Sequence, residues 1–206
     1  LGIISDPDGS KKVQVFDSPL SVWQSQWPTG DKIALTTNPS ANTSGYLYFL
    51  NTNTEKLEKV LSGVRGLTTL VNEDRTQVLF THNESNRLLL SILDIESDEV
   101  TDLPIWTLAE KCIWSNINND IIYCGVPNTV PAGTDLDRWY QGLTSFSDSI
   151  WMIDTQTQTA NMLINLADVS REEIDTIKFV LSPEEDYLFF VNKKDSNLWQ
   201  LKLNNL

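Results

Sequence analysis

Residues 114–123 read WSNINNDIIY: an apolar anchor, a polar turn, then an apolar run closed by an aromatic residue. The same layout stands at WPTGDKIAL (Trp27–Leu35), VNEDRTQVLF (Val71–Phe80) and LSPEEDYLFF (Leu181–Phe190). In each, a few polar residues separate two apolar segments, and Asn, Asp, Gly and Pro supply the backbone geometry of a tight turn. Each segment therefore reads as strand, hairpin and strand. A second motif follows the first: YFLNTNTEKL (Tyr48–Leu57), SILDIESDEV (Ser91–Val100), WMIDTQTQTA (Trp151–Ala160) and WQLKLNN (Trp199–Asn205). In the first three, an apolar triplet runs into Asn51, Asp94 or Asp154, and Thr54, Ser97 or Thr157 stands three residues later. A short Asn or Asp side chain there accepts from the turn's own backbone, ending one strand and starting the next.

Successive anchors lie 44, 43 and 67 residues apart, and the last gap holds an insertion of about 24 residues. Four strands per unit at a period in the forties is the pattern of propeller blades. Apolar spacing inside each unit is near two, which excludes helical repeats of similar period. The expected fold is an all-β propeller of four-stranded antiparallel blades, with four repeats in the chain. Residues 1–19 supply the outer strand of a blade. Blades follow at 20–63, 64–104 and 105–170, the third carrying the insertion 126–148; the last, 171–206, lacks its outer strand. The strand in SDPDGSKKVQVF (Ser5–Phe16) is expected to complete that last blade, pairing the two chain ends and removing two open sheet edges. The alternative is an arc of a six- to eight-bladed ring.

Composition narrows the function classes. The chain has 206 residues, 40% apolar and 21% charged, enough for one substantial core and too apolar for general disorder. Twenty-eight acidic against 15 basic residues give a net charge of −13, which repels phosphate backbones and anionic lipids, so no nucleic-acid partner is expected. No apolar run approaches membrane-spanning length, so no direct membrane insertion is expected. The chain starts at Leu1 with neither Met nor a signal-like layout, and is expected to be a piece of something longer.

On the matches WPTGDKIAL, WSNINNDIIY, LSPEEDYLFF, SIWMIDTQT and SDPDGSKKV, the repeat resembles the TolB-type, WD-like propeller repeat. That repeat runs roughly W-S-P-x-G-x-x-I-x-Y, then L-W-x-Φ-D-x-x-T-G. AEKCIWS (Ala109–Ser115) and DRWYQGLTSFSDSIWMID (Asp137–Asp154) further resemble uncharacterised bacterial propeller proteins. The resemblance implies a domain outside the cytoplasm, periplasmic or cell-surface, behind an upstream membrane anchor. Propellers of this kind serve as binding scaffolds, peptidase covers and enzymes alike. Val71 and Leu181 replace the anchoring Trp and Lys202 stands where Asp would be, so no ligand site carries over.

No catalytic set is expected. The one histidine, His82, sits in a polar THNESN stretch read as a surface loop, and no G-x-S-x-G elbow is present. Cys112 and Cys124 flank the turn near Asn118 at equal distances and fall opposite one another in the hairpin. They form a disulfide in an oxidising compartment or two buried thiols in a reducing one. Two cysteines alone do not hold zinc, so no metal and no cofactor is expected. Asp6 with Asp8, and Asp135 with Asp137, read as turn caps in preference to calcium ligands.

The insertion carries Pro127, Pro131, Gly133 and Gly142 and reads as an irregular excursion. Its Arg138, Trp139, Tyr140 and Gln141 are candidate contacts for a protein or peptide partner, unless the aromatics fold back over the end of their own blade. Trp23 and Trp106, near the entries to blades, are further candidates at the channel. Trp27, Trp114, Trp151 and Trp199 occupy equivalent repeat positions and read as packing between blades. The expected function is a non-catalytic interaction or scaffold propeller. The alternatives are a hydrolase or lyase using channel-mouth carboxylates or a metal, and the regulatory propeller of a peptidase.

Overall fold

The computed structural model describes residues 1–20 and 22–205. A two-stranded hairpin, β1 (Gly2–Ile4) and β2 (Val13–Phe16), leads into four sheets. The first comprises β3 (Trp23–Gln26), β4 (Lys32–Thr37), β5 (Ser44–Asn51) and β6 (Leu57–Arg65). The second comprises β7 (Thr68–Val71), β8 (Gln77–Glu84), β9 (Arg87–Asp94) and β10 (Val100–Asp102). The third comprises β11 (Cys112–Trp114), β12 (Ile121–Pro127), β13 (Asp148–Asp154) and β14 (Thr159–Asn165). The last has three strands, β15 (Thr176–Leu181), β16 (Tyr187–Asn192) and β17 (Leu198–Lys202). Every pairing is sequential and antiparallel, so the chain is an all-β propeller. Two short helices interrupt it: α1 (Asp135–Tyr140) in the insertion and α2 (Leu166–Ser170) after β14.

The stacking follows from the two-residue period of a strand. On β8, Val78 and Phe80 pack with Ala34, Leu47 and Phe49 of the first sheet. Leu79, between them in sequence, packs with Cys112, Trp114 and Ile122 of the third. On β12, Ile122 and Cys124 face the second sheet, while Tyr123 faces Phe179, Leu188 and Phe190 of the last. β4, β8 and β12 are thus apolar on both faces because each lies between two sheets, and each buried Leu, Ile or Phe contributes about 1.5–3 kcal/mol. On β16, Leu188 and Phe190 are buried against the third sheet, whereas Tyr187, Phe189 and Val191 on the opposite face are only half-buried.

The N-terminal strand does not complete the last blade. β2 pairs with β1, and Val15 is buried with Ile33, Leu35 and Leu50 of the first sheet, with Ile4, Phe16 and Trp23 packed against them. Among the described residues β17 has one strand neighbour, β16. The local hairpin requires a short loop, whereas pairing the chain ends closes nearly the whole chain, at greater entropic cost.

Trp27 also departs from its repeat role. Trp114 is buried, with its indole N–H directed at the Leu70 carbonyl of the preceding inner strand at 3.4 Å. Trp27 is 52% exposed and bonds Gly30 in its own turn. Among the described residues the sheet before it has two strands, those of the hairpin, and no inner strand to receive the ring. Trp151 and Trp199 are half-buried against the cores of their own interfaces.

The repeated turn is the most regular local feature. Thr54, Ser97 and Thr157 donate their backbone N–H to Asn51, Asp94 and Asp154 at 2.9, 2.8 and 2.8 Å. Those bonds hold the Asp94 and Asp154 carboxyls below the usual carboxylate range. The next residue in each turn, Glu55, Asp98 or Gln158, has φ of 57–58°, the left-handed region where a side chain costs about 1 kcal/mol. Gln158→Gly is therefore expected to raise stability by about 0.5–1 kcal/mol, read as a higher melting temperature. An unchanged or lower value would mean that the turn carries no such strain.

Candidate functional site

Alternating strand direction puts the connection from β12 to β13 at the same end of the blades as the entries to β11 and β15. Three charged side chains meet there. Lys111 ends a single 3-10 turn (Ala109–Lys111) that enters β11; Asp148 begins β13; Asp175 directly precedes β15. Lys111 Nζ lies 2.7 Å from Asp148 Oδ2 and 2.5 Å from Asp175 Oδ1, and all three side chains are fully buried. Asp148 Oδ2 also accepts from the Thr176 N–H and hydroxyl at 2.7 and 2.6 Å, while its Oδ1 is buried without a partner among the described residues. Burial pushes the Asp148 carboxyl up despite the adjacent ammonium. Gly125 makes room for this approach: a Cβ there would sit 1.8 Å from Thr176 Oγ1.

The insertion lies over this cluster as a strap touching all four sheets. Trp139 is 3% exposed, and its indole N–H donates to Asp175 Oδ2 at 2.8 Å, as does the Phe146 N–H at 3.0 Å. Lys193, following β16, bonds the Trp139 carbonyl at 2.8 Å and lies 4.6 Å from its ring centre. Leu136 is buried with Ala41, Leu88, Leu108 and Phe146. Asp137 accepts from the Ala41 N–H at 3.1 Å, and the Gly133 N–H donates to the Asn86 carbonyl at 2.9 Å. Asp135 accepts from the Ala132 N–H at 2.9 Å, so both carboxylates secure the strap. At the N-terminal hairpin, Asp8 likewise accepts from the Ser10 N–H at 2.9 Å.

Tyr140, half-buried, donates to Glu110 Oε1 and accepts from Gln24 Nε2 of β3 at 3.3 Å. Burial pushes the Glu110 carboxyl up to about 7, opposed by the charges of Lys111 and Lys193. Its folded value exceeds the unfolded one, so folding takes up a proton, and stability falls as pH rises from about 4.5 to 7. Part of the side chain reaches solvent, which keeps the penalty below the roughly 3 kcal/mol that a shift of this size carries in full. The melting temperature is expected to decline over that interval and to decline less in Glu110→Gln. Parallel pH profiles for the two proteins would show that Glu110 does not carry the effect.

The candidate contacts separate into two groups. Trp139 and Tyr140 turn inward and hold the strap, leaving Arg138 and Gln141 exposed on its outer surface and Trp106 41% exposed beside it. Trp23, half-buried, packs edge-on to Phe16 and Tyr48 at 5.5 and 6.1 Å, against the hairpin, while the neighbouring Gln24 bonds Tyr140 of the strap.

His82 lies in strand β8, not in a loop, paired with Leu89. Its Nε2 is 3.0 Å from Ser91 Oγ, which donates to Asp102 at 2.7 Å. The residue types of a hydrolase triad meet here in the wrong order. The carboxylate takes the serine proton directly and does not orient the imidazole through Nδ1, and Ser91 is fully buried. Cys112 and Cys124 are register partners with Cα atoms 4.1 Å apart and form a disulfide facing the second sheet. Lys111, Asp148, Asp175 and Glu110 were not anticipated; the available signal was a lysine inside the apolar run LAEKCIW.

The sequence matches no protein-family model and no curated protein. Among solved structures, TolB from Acinetobacter baumannii superposes with a TM-score of 0.67 at 17% identity, over 98% of this chain and 46% of that one. Oligogalacturonate lyase in complex with manganese gives 0.62 at 10% identity, over 96% and 52%. The β-propeller domain of the trilobed protease from Pyrococcus furiosus, described as having an open velcro topology, gives 0.54 at 15%, over 97% and 60%. The chain thus spans about half the length of the structures it resembles, and shares their propeller fold.

Proposed function

We propose that this chain is a non-catalytic interaction propeller that works outside the cytoplasm and takes a protein or peptide partner on the outer surface of the strap. The observation that carries the reading is the division of labour within the insertion. Trp139 and Tyr140 fix the segment from below, and Arg138, Gln141, Leu143 and the adjoining Trp106 are left exposed on rigid ground. Rigid scaffolds presenting Trp and Arg lose little entropy on binding. The Cys112–Cys124 disulfide supports an oxidising compartment. In the test, Trp106→Ala combined with Arg138→Ala is expected to weaken partner capture at least about tenfold without changing the melting temperature. Capture at full strength by the double variant would sink the reading.

One observation favours a second reading, a hydrolase or lyase working from a channel-mouth carboxylate. Glu110 is a carboxyl held up to about 7 beside the Tyr140 hydroxyl, the kind of perturbed pair that serves proton transfer. Turnover of a peptide or uronate substrate that Glu110→Gln abolishes and Trp106→Ala spares would put this reading first.

A further inference from the structure

Between the β8–β9 turn and the strap lies a groove of about 390 Å³ bounded by Asn86, Arg87, Trp106, Val130, Pro131 and Ala132. We infer that this groove binds an extended peptide carrying carboxylates next to an apolar side chain. The inference deepens the interaction reading above and rests on it. The walls are fixed, since Arg87 and Ala132 form an antiparallel bridge and the Gly133 N–H donates to the Asn86 carbonyl. The floor offers apolar contact: Trp106 and Val130 are 41% and 53% exposed, neighbouring groups that water covers in the free protein.

Charge selects the occupant. In a chain of net charge −13, no carboxylate among the described residues lines the groove. Asp135 and Asp137, which stand on the strap, are turned onto the N–H groups of Ala132 and Ala41. Arg87 forms no ion pair among the described residues, not even with Glu84, its register partner across the turn. An exposed guanidinium beside an indole offers a carboxylate two parallel hydrogen bonds and an apolar neighbour a flat surface. The acidic remainder of the molecule repels long polyanions, so a local carboxylate with apolar flanks fits better than a nucleic acid.

The probes are two blocked pentapeptides, acetyl-Leu-Asp-Phe-Glu-Leu-amide and acetyl-Leu-Asn-Phe-Gln-Leu-amide, titrated into the whole chain and followed at the Trp indole N–H resonances. The acidic peptide is expected to bind about tenfold tighter at low salt, with the preference fading as salt rises. Arg87→Gln is expected to erase the preference, and Trp106→Ala to weaken both peptides. Equal affinities in the wild type overturn the carboxylate assignment while leaving a peptide surface at Trp106. Failure of both peptides to saturate overturns the groove as a site. Loss of the interaction reading itself is a different result, partner capture unaffected by Trp106→Ala with Arg138→Ala.

Discussion

Lys111→Met is expected to destabilise the chain by about 3–5 kcal/mol, a large part of the roughly 5–15 kcal/mol that holds a domain folded. Methionine nearly preserves the volume, so packing loss is small. What remains is two carboxylates, Asp148 and Asp175, fully buried at the joint between the third and last sheets with no cation between them. The stranded charge must be neutralised, at Asp148 whose carboxyl burial already pushes up, or the joint must open. The loss should therefore shrink as pH is lowered, when protonation removes the stranded charge, and urea denaturation at pH 5 and pH 8 reads the difference. Asp148→Asn is the control: it keeps the shape and leaves Lys111 paired with Asp175, so about 1–2 kcal/mol is expected. If the asparagine variant is as damaged as the methionine one, or the loss ignores pH, the ion cluster is not what locks these sheets together.

The propeller was legible because its information is local. Each hairpin carries its turn chemistry within about ten residues, and Asn51, Asp94 and Asp154 reuse one backbone geometry in successive blades. Apolar faces on both sides of each second strand then demand a neighbour on either side. Which strand meets which at the chain ends was not legible, because Val13–Phe16 presents the same pattern whether it pairs with Gly2–Ile4 or with the last blade. His82 was misplaced for a related reason. The polar THNESN run looks like a loop, but Ser85 and Asn86 with φ of 49° and 63° make the whole turn, and the polar residues before them continue the strand. The ion cluster was hidden by distance, since Lys111 meets Asp175 across 64 residues of chain. The strap's aromatics were readable as a feature and unreadable in direction. An exposed contact and an inward anchor have the same composition, and an acceptor contributed by another blade, Asp175, decides between them.

Trp139→Ala should then cost about 3–5 kcal/mol and, unlike Lys111→Met, should concentrate its effect in the insertion. The indole supplies the donor to Asp175 and an edge-on contact with Tyr140 at 5.2 Å; it also stacks on Phe146 at 6.4 Å and carries the contact with Lys193. Residues 128–147 are held mainly by side-chain contacts: one bridge at Ala132 and a helix of six residues are their only regular structure. A segment with so few backbone bonds to its neighbours opens below the free energy of global unfolding once its anchor is gone. Hydrogen exchange is expected to show faster exchange at residues 128–147 in Trp139→Ala, with the paired strands of the first sheet protected much as before. Trp139→Phe keeps the ring but loses the N–H, and should fall between. Partner binding should fail in Trp139→Ala because the surface is no longer held in shape, whereas Trp106→Ala should weaken binding with exchange unchanged. The two variants thus distinguish holding the surface from being the surface. Unaltered exchange at 128–147 in Trp139→Ala would mean the strap is rigid without its buried indole, and the division between inward anchor and outward contact would fall with it.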